Sequence, residues 1–219
     1  MIDPQRAVAD LVLDHSEYAS VLQRHHIDYC CHGDTPLAAA CDKRKLDLDA
    51  IVAELERAIT DGRGADGDVR ALPNPALVAH IIAHYHVPLR KDLPFLAGLA
   101  SKVARVHGEH NPRLEELAVQ VAELADALDA HMDDEETRLF PAMSEGDAAR
   151  VRALEDATRD EHAAVGELLE LMRATSEDYR VPEWGCNSYR TLFRELERLE
   201  TDVLRHVHLE NHVLLPRFA

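Results

Sequence analysis

His131-Met-Asp-Asp-Glu135-Glu-Thr-Arg-Leu139-Phe-Pro141 and His206-Val-His-Leu-Glu210-Asn-His-Val-Leu214-Leu-Pro216 share the pattern His-x3-Glu-x3-Leu-x-Pro, with residue 131 matched by 206 and so on along the stretch. The agreement runs backward through Leu117, Val121, Leu124 and Leu128 against Leu192, Leu196, Leu199 and Val203. In a helix, residues four apart lie on one face, so each histidine stands over its glutamate. That face is also the apolar one. A single such pair is commonly a surface ion pair. Two pairs in register with leucine stripes, related by a repeat, point instead to a strong shared partner, because a buried unpaired polar group is costly. A metal centre fits that requirement.

Helices of this length dominate the rest of the chain. Stretches of about 75–107, 112–142, 148–175 and 184–215 are separated by Gly108 and Pro112, by Pro141 and Gly146, and by Pro182 and Gly185. Four helices with short links predict an up-down bundle. The first and third helices repeat as well, His86, Leu89, Leu93 and Leu96 matching His162, Val165, Leu169 and Met172. Ahead of the bundle, shorter helices are expected at about 4–13, 16–25, 36–42 and 47–61, with the turn-rich segment His26 to Thr35 between the second and third. The Gly- and Pro-containing stretch from Gly62 to Pro75 reads as a linker. The expected organisation is therefore all-α: a small helical domain over 1–61 carrying Cys30-Cys31, a linker over 62–75, and a four-helix bundle over 76–219.

Composition narrows the function. The 219 residues carry 24 basic and 41 acidic side chains, a net charge of −17 that disfavours nucleic acid and anionic lipid surfaces. No apolar run of about 18 residues suggests a membrane span, and the first residues lack a secretory pattern. Four cysteines without such a leader suit a reducing cytoplasm. Histidine, at 14 residues, is the unusual component.

Rotation at about 100° per residue selects which polar groups face inward. In the first bundle helix Val78, Ile82, Tyr85, Leu89, Leu93 and Leu96 set the stripe, and His86 falls within it; His80 and His84 fall opposite. In the second helix His131 and Glu135 face in, while Asp133, Asp134 and Glu136 point away. His162 sits at the edge of the third helix's inner face, with Glu161 close by as a further candidate. In the fourth, His206 and Glu210 face in, and His208 and His212 lie on the outer side. His15, His25, His107 and His110 read as surface residues. The inward set is His86, His131, Glu135, His162, His206 and Glu210. Four imidazoles and two carboxylates without thiolate suit iron or manganese better than structural zinc, and bridging glutamates would let six side chains hold two metals.

With these residues in hand, the chain resembles the repair-of-iron-centres family (YtfE/ScdA/DnrN-like proteins) over nearly its whole length. The resemblance rests on Asp28-Tyr-Cys-Cys31, Tyr85-His86, Leu93-Pro94, His131-Met-x2-Glu-Glu-x2-Leu-Phe-Pro141, Glu161-His162 and His206-x-His-Leu-Glu-Asn-x-Val-Leu-x-Pro-Arg217. It implies a hemerythrin-like bundle holding two non-haem iron ions with oxo and carboxylate bridges. It also implies a cytoplasmic role in restoring iron–sulfur clusters damaged by nitric oxide or oxidants, with damaged iron–sulfur proteins as partners. The family's ligands fall on the six positions selected by rotation, and its paired cysteines on Cys30 and Cys31. Two departures stand out: His32 replaces the first glycine of a common Cys-Cys-Gly-Gly, and Leu89 stands where many members carry another histidine.

Adjacent cysteines close a disulfide only with strain, so Cys30 and Cys31 are expected as two reduced thiols. Flanking His26 and His32 would favour thiolate. In the repair reading the pair acts transiently, accepting iron, reacting with nitric oxide or touching the damaged protein. Cys41 reads as a small core residue and Cys186 has no evident partner. Two other functions fit the bundle: a hemerythrin-like module that binds or senses O2 or nitric oxide, and a nitric oxide reductase. The first leaves the Cys30-Cys31 domain without a task.

Overall fold

The computed structural model describes residues 2–61 and 69–219. The chain is all-helical, and among the described residues extended pairing is limited to one isolated bridge between Ala7 and Pro36. Two units are distinguished: one formed by the chain through Pro73 together with Leu204–Arg217, the other by Asn74–Val203 with the last two residues. No described helix is long and apolar enough to cross a membrane.

The first unit contains α1 (Val8–Asp14), α2 (Tyr18–Arg24), α3 (Leu37–Arg44) and α4 (Leu48–Asp61). α1 starts later than the expected residue 4, because Asp3 organises a turn instead: its carboxylate accepts the Gln5 amide at 2.9 Å and its carbonyl accepts that of Arg6. Asp47 caps α4, its carboxylate accepting the amides of Asp49 and Ala50. Leu11, Leu22, Tyr29, Leu37, Cys41, Ile51 and Leu55 form a buried core, so Cys41 is the packing residue its context suggested. Gly33 is required where it stands. A Cβ there would lie 2.5 Å from the Tyr29 carbonyl, 2.6 Å from the Ala9 Cβ and 2.7 Å from His212 Nε2. Of the expected linker, residues 62–68 lie outside the described residues; beyond them Val69–Ala71 forms one short turn.

The second unit is the bundle. Its helical stretches are α5 (Asn74–Ile81) continued by α6 (Val87–His107), α7 (Arg113–Asp134) continued by α8 (Phe140–Glu145), α9 (Ala148–Thr175) and, through Val203, α10 (Asn187–Leu209). The leucine stripes meet as expected: Leu89, Leu93, Leu96, Leu117, Val121, Leu124, Leu128, Val165, Leu169, Met172, Leu192, Leu196, Leu199 and Val203 are all buried. Gly146, at φ 74°, ends α8, and Asp147 then caps α9 by accepting the Arg150 amide at 3.1 Å. Near the opposite end, Arg173 of α9 donates to Glu200 of α10 at 2.9 Å, both side chains being buried.

Among the described residues three π turns occur in line with these helices, at Ile82–His86, Glu135–Leu139 and Glu210–Leu214. Each is followed, one residue later, by a proline: Pro88, Pro141 and Pro216. Proline has no amide hydrogen and its ring crowds the carbonyl four residues back. Those carbonyls belong to His84, Thr137 and His212, all inside the π turns, where the wider winding makes room. The extra residue in the first turn also corrects the rotation argument. Ile81 is the fully buried position, whereas Ile82 and Tyr85 are half-buried. α10 begins at Asn187, after a turn closed by the Gly185 amide on the Pro182 carbonyl, rather than at about 184.

Candidate metal centre

Every π turn begins or ends on a candidate ligand: His86 closes the first, Glu135 opens the second and Glu210 opens the third. π turns frequently mark functional positions, because the widened backbone re-aims a side chain. In the bundle unit, His86, His131, Glu135 and His162 converge, all essentially inaccessible to solvent. Glu135 Oε2 lies 3.4 Å from His86 Nε2 and 3.4 Å from His131 Nε2, and its Oε1 lies 4.0 Å from His162 Nε2. The Nε2 atoms of His131 and His162 are 3.2 Å apart. In the other unit, His206 Nε2 and Glu210 Oε1 are 2.8 Å apart and both residues are buried.

The rear nitrogens of two imidazoles are tied to carboxylates. His131 Nδ1 donates to Glu161 at 2.8 Å and His86 Nδ1 donates to Glu136 at 2.9 Å. The bond from His131 outweighs partial burial and holds the Glu161 carboxyl below its ordinary range, so it is an ionised acceptor. Glu136 is in turn approached at 3.4 Å by Arg90, which also bonds Asp129 and Asp133 at 2.6 Å each. With Nδ1 carrying the proton, Nε2 of each ring presents a lone pair. Those Nε2 atoms lie 3.4 Å from the buried Glu135 carboxyl group, so imidazole and carboxyl donor atoms converge where a cation could take them as ligands. A donor set of imidazoles around a carboxylate, backed by carboxylate–histidine bonds, has the chemistry of a non-haem iron site.

Comparison with known proteins supports this reading of the donors. Residues 77–218 match the family described as Hemerythrin HHE cation binding domain, and residues 4–59 match the ScdA_N domain of unknown function, DUF542. Proteins of Yersinia pseudotuberculosis serotype IB (strain PB1/+) and of Yersinia pestis, each named iron-sulfur cluster repair protein YtfE, are 34% identical over 197 residues, which is 90% of this chain and 89% of theirs. The chain belongs to the YtfE family of iron–sulfur cluster repair proteins.

The amino-terminal domain of this YtfE-family chain carries the cysteine pair. Cys30 is buried and Cys31 half-buried, their sulfurs 3.5 Å apart. Asp28 organises the turn. Its Oδ1 accepts the amides of Cys30 at 3.0 Å and Cys31 at 2.9 Å and the Cys30 thiol at 3.4 Å, while Oδ2 accepts the His32 amide at 3.2 Å and ring Nδ1 at 2.6 Å. Burial works to raise the Asp28 carboxyl, but the bonds from His32, the two amides and the Cys30 thiol outweigh it and hold the group below the usual carboxylate range. The expected activation of Cys30 by flanking histidine is not what the structure shows. His32 is spent on Asp28, and the Cys31 thiol, burial and the Asp28 charge together push the Cys30 thiol well above its ordinary range.

Other histidines depart from their expected places. His208 is buried, its Nδ1 donating to the Tyr29 carbonyl at 3.0 Å, and His212 Nε2 donates to the Cys30 carbonyl at 2.8 Å. Their side of the helix is covered by the segment that holds the cysteines, a long-range contact no local pattern announces. His107 is also more than a surface residue: its Nε2 lies 3.1 Å from Cys186 Sγ, giving that thiol a neighbour. Glu136, placed outward by rotation, turns back onto His86. Its signal was available in the Glu-Glu step at 135–136, which the π turn splits between the ligand and its support.

Proposed function

We propose that this chain repairs iron–sulfur clusters damaged by nitrosative or oxidative stress, using two non-haem irons held by His86, His131, Glu135, His162, His206 and Glu210. The observation that carries the reading is the buried Glu135 carboxylate ringed by imidazole nitrogens whose opposite faces are already committed to Glu136 and Glu161. His206 and Glu210 join the set as the second His-x3-Glu pair of the repeat, both buried, with Nε2 and Oε1 2.8 Å apart. The cation-binding match also spans all six positions. Glu135 and Glu210 would be ligands shared by the two irons, which would supply electrons or an exchangeable metal ion for the repair.

The division into a cysteine-bearing domain over 1–61, a linker over 62–75 and the bundle over 76–219 belongs to the same proposal, as does a cytoplasmic setting. Damaged iron–sulfur proteins would be the partners, and nitric oxide the small molecule met at the irons. Cys30 and Cys31 would act transiently on the damaged protein, with Cys30 held as a protonated thiol until the partner or a metal ion removes its proton. Glu135→Leu or Glu210→Leu is expected to lose iron with the bundle still folded, while Cys30→Ala/Cys31→Ala keeps iron and loses recovery of a damaged cluster enzyme. Retention of full iron by both glutamate variants would refute the assignment.

A further inference from the structure

One π turn serves two places at once. Glu210 opens the turn Glu210–Leu214, and the next two residues in it, Asn211 and His212, reach the cysteine segment of the same unit. Asn211 Nδ2 donates to the Cys30 carbonyl at 3.0 Å, and His212 Nε2 donates to that same oxygen at 2.8 Å. His208, one turn earlier, holds the preceding carbonyl, that of Tyr29. Asn211 is 4% exposed, so its bond is made away from water, where an amide left without an acceptor is costly.

The cysteine segment has little slack against this turn. Asp28 fixes it from one side through the Cys30, Cys31 and His32 amides, and Asn211 and His212 fix it from the other through the Cys30 carbonyl. Gly33 approaches His212 so closely that no side chain fits there. Displacing the π turn therefore displaces the donors on Cys30, and freeing Cys30 takes an acceptor from Asn211.

We propose that Asn211, assisted by His212, is a positioning residue that links the ligand Glu210 to the Cys30-Cys31 thiols, so that iron binding and thiol exposure alter one another. The inference rests on Glu210 being a metal ligand as proposed above. Iron that restrains Glu210 restrains the turn and both donors on the Cys30 carbonyl, so the buried Cys30 thiol opens to solvent less often. By linkage, a change at Cys30 that breaks the contact weakens iron binding by the same factor.

The test uses the full-length protein, anaerobic, with and without iron, and measures iodoacetamide alkylation of Cys30 by peptide mapping, which separates it from Cys31, Cys41 and Cys186. The expected result is alkylation about fivefold slower with iron bound, the scale of one buried hydrogen bond. In Asn211→Leu, which keeps the side-chain volume and removes one of the two donors, the ratio should fall clearly below the wild-type value while iron remains bound, with His212 holding the rest of the link. Equal rates with and without iron in the wild type, or an undiminished ratio in the variant, would overturn the proposal. Should the variant fail to fold, the wild type still decides: alkylated protein must bind iron about fivefold more weakly, and unchanged affinity refutes the link. A wild type that binds no iron would instead refute the metal assignment itself.

Discussion

Glu161 accepts a hydrogen bond from Nδ1 of His131 across 2.8 Å, and this decides which nitrogen of the ring is left for a cation. The same relation holds between Glu136 and His86. Partners of this kind orient the ring and raise its basicity, and losing one typically costs about 10–100-fold in metal affinity. Glu161→Gln and Glu136→Gln are therefore each expected to weaken iron binding by about that factor, with unchanged helical content. Competition against a chelator of known affinity measures it; wild-type affinity in both variants would remove these carboxylates from the account.

Glu135 is buried for its chemistry at the expense of the iron-free fold. An ionisable carboxyl buried in the core is costly to hold there without a cation, and an apolar side chain of similar volume removes that cost. Iron-free Glu135→Leu should be at least as stable as the iron-free wild type. Urea denaturation of both proteins, stripped of metal, checks this.

Asp28 gives the amino-terminal unit an acid-sensitive contact. Its carboxyl is held below the ordinary value of 3.8, so its contribution is fully present above that value and is lost as pH falls through the lower folded value. Asp28→Asn should be less stable near neutrality, and the difference from wild type should vanish in strong acid. Denaturation midpoints of the two proteins from pH 7 down to about pH 2 test the sign.

Cys30 should be a slow nucleophile until the medium is alkaline. Its thiol is pushed well above 9.0 by the Cys31 thiol, burial and Asp28. Because the thiolate is the reactive form, alkylation of Cys30 in the iron-free protein should still be accelerating above pH 9. A plateau reached below pH 8, followed by peptide mapping, would show an activated thiolate instead.

The buried Arg173–Glu200 pair ties α9 to α10, with Arg173 also lying 5.1 Å over the Tyr179 ring. Removing one partner of such a pair leaves an uncompensated charge and costs about 3–5 kcal/mol. Glu200→Ala should lower stability by about that amount, while iron content at low temperature is retained. Chemical denaturation and metal analysis of the same preparation separate the two effects.

Much of the bundle was legible because its information is local and periodic. Leu117, Val121, Leu124 and Leu128 bury on the face that carries His131 and Glu135, as rotation requires. A constant rotation fails where the helix itself changes pitch: with the π turn at Ile82–His86 it is Ile81 rather than Ile82 that is buried, and the one at Glu135–Leu139 brings Glu136 back to His86. Prolines at 88, 141 and 216 were the visible signs of those turns. His208, Asn211 and His212 could not be placed from periodicity, because their partners are carbonyls nearly the whole chain length away, at Tyr29 and Cys30. The thiol state of Cys30 is equally hidden from local sequence, since His32 stands two residues away but the fold gives its ring to Asp28.

The central claim is that the six inward residues hold two irons. Metal analysis and Mössbauer spectroscopy of the anaerobically reconstituted protein test it most directly. The account predicts about two irons per chain, antiferromagnetically coupled, and loss of that signal in Glu135→Leu. A chain that takes up no iron, or holds isolated uncoupled iron unaffected by Glu135→Leu, would contradict it.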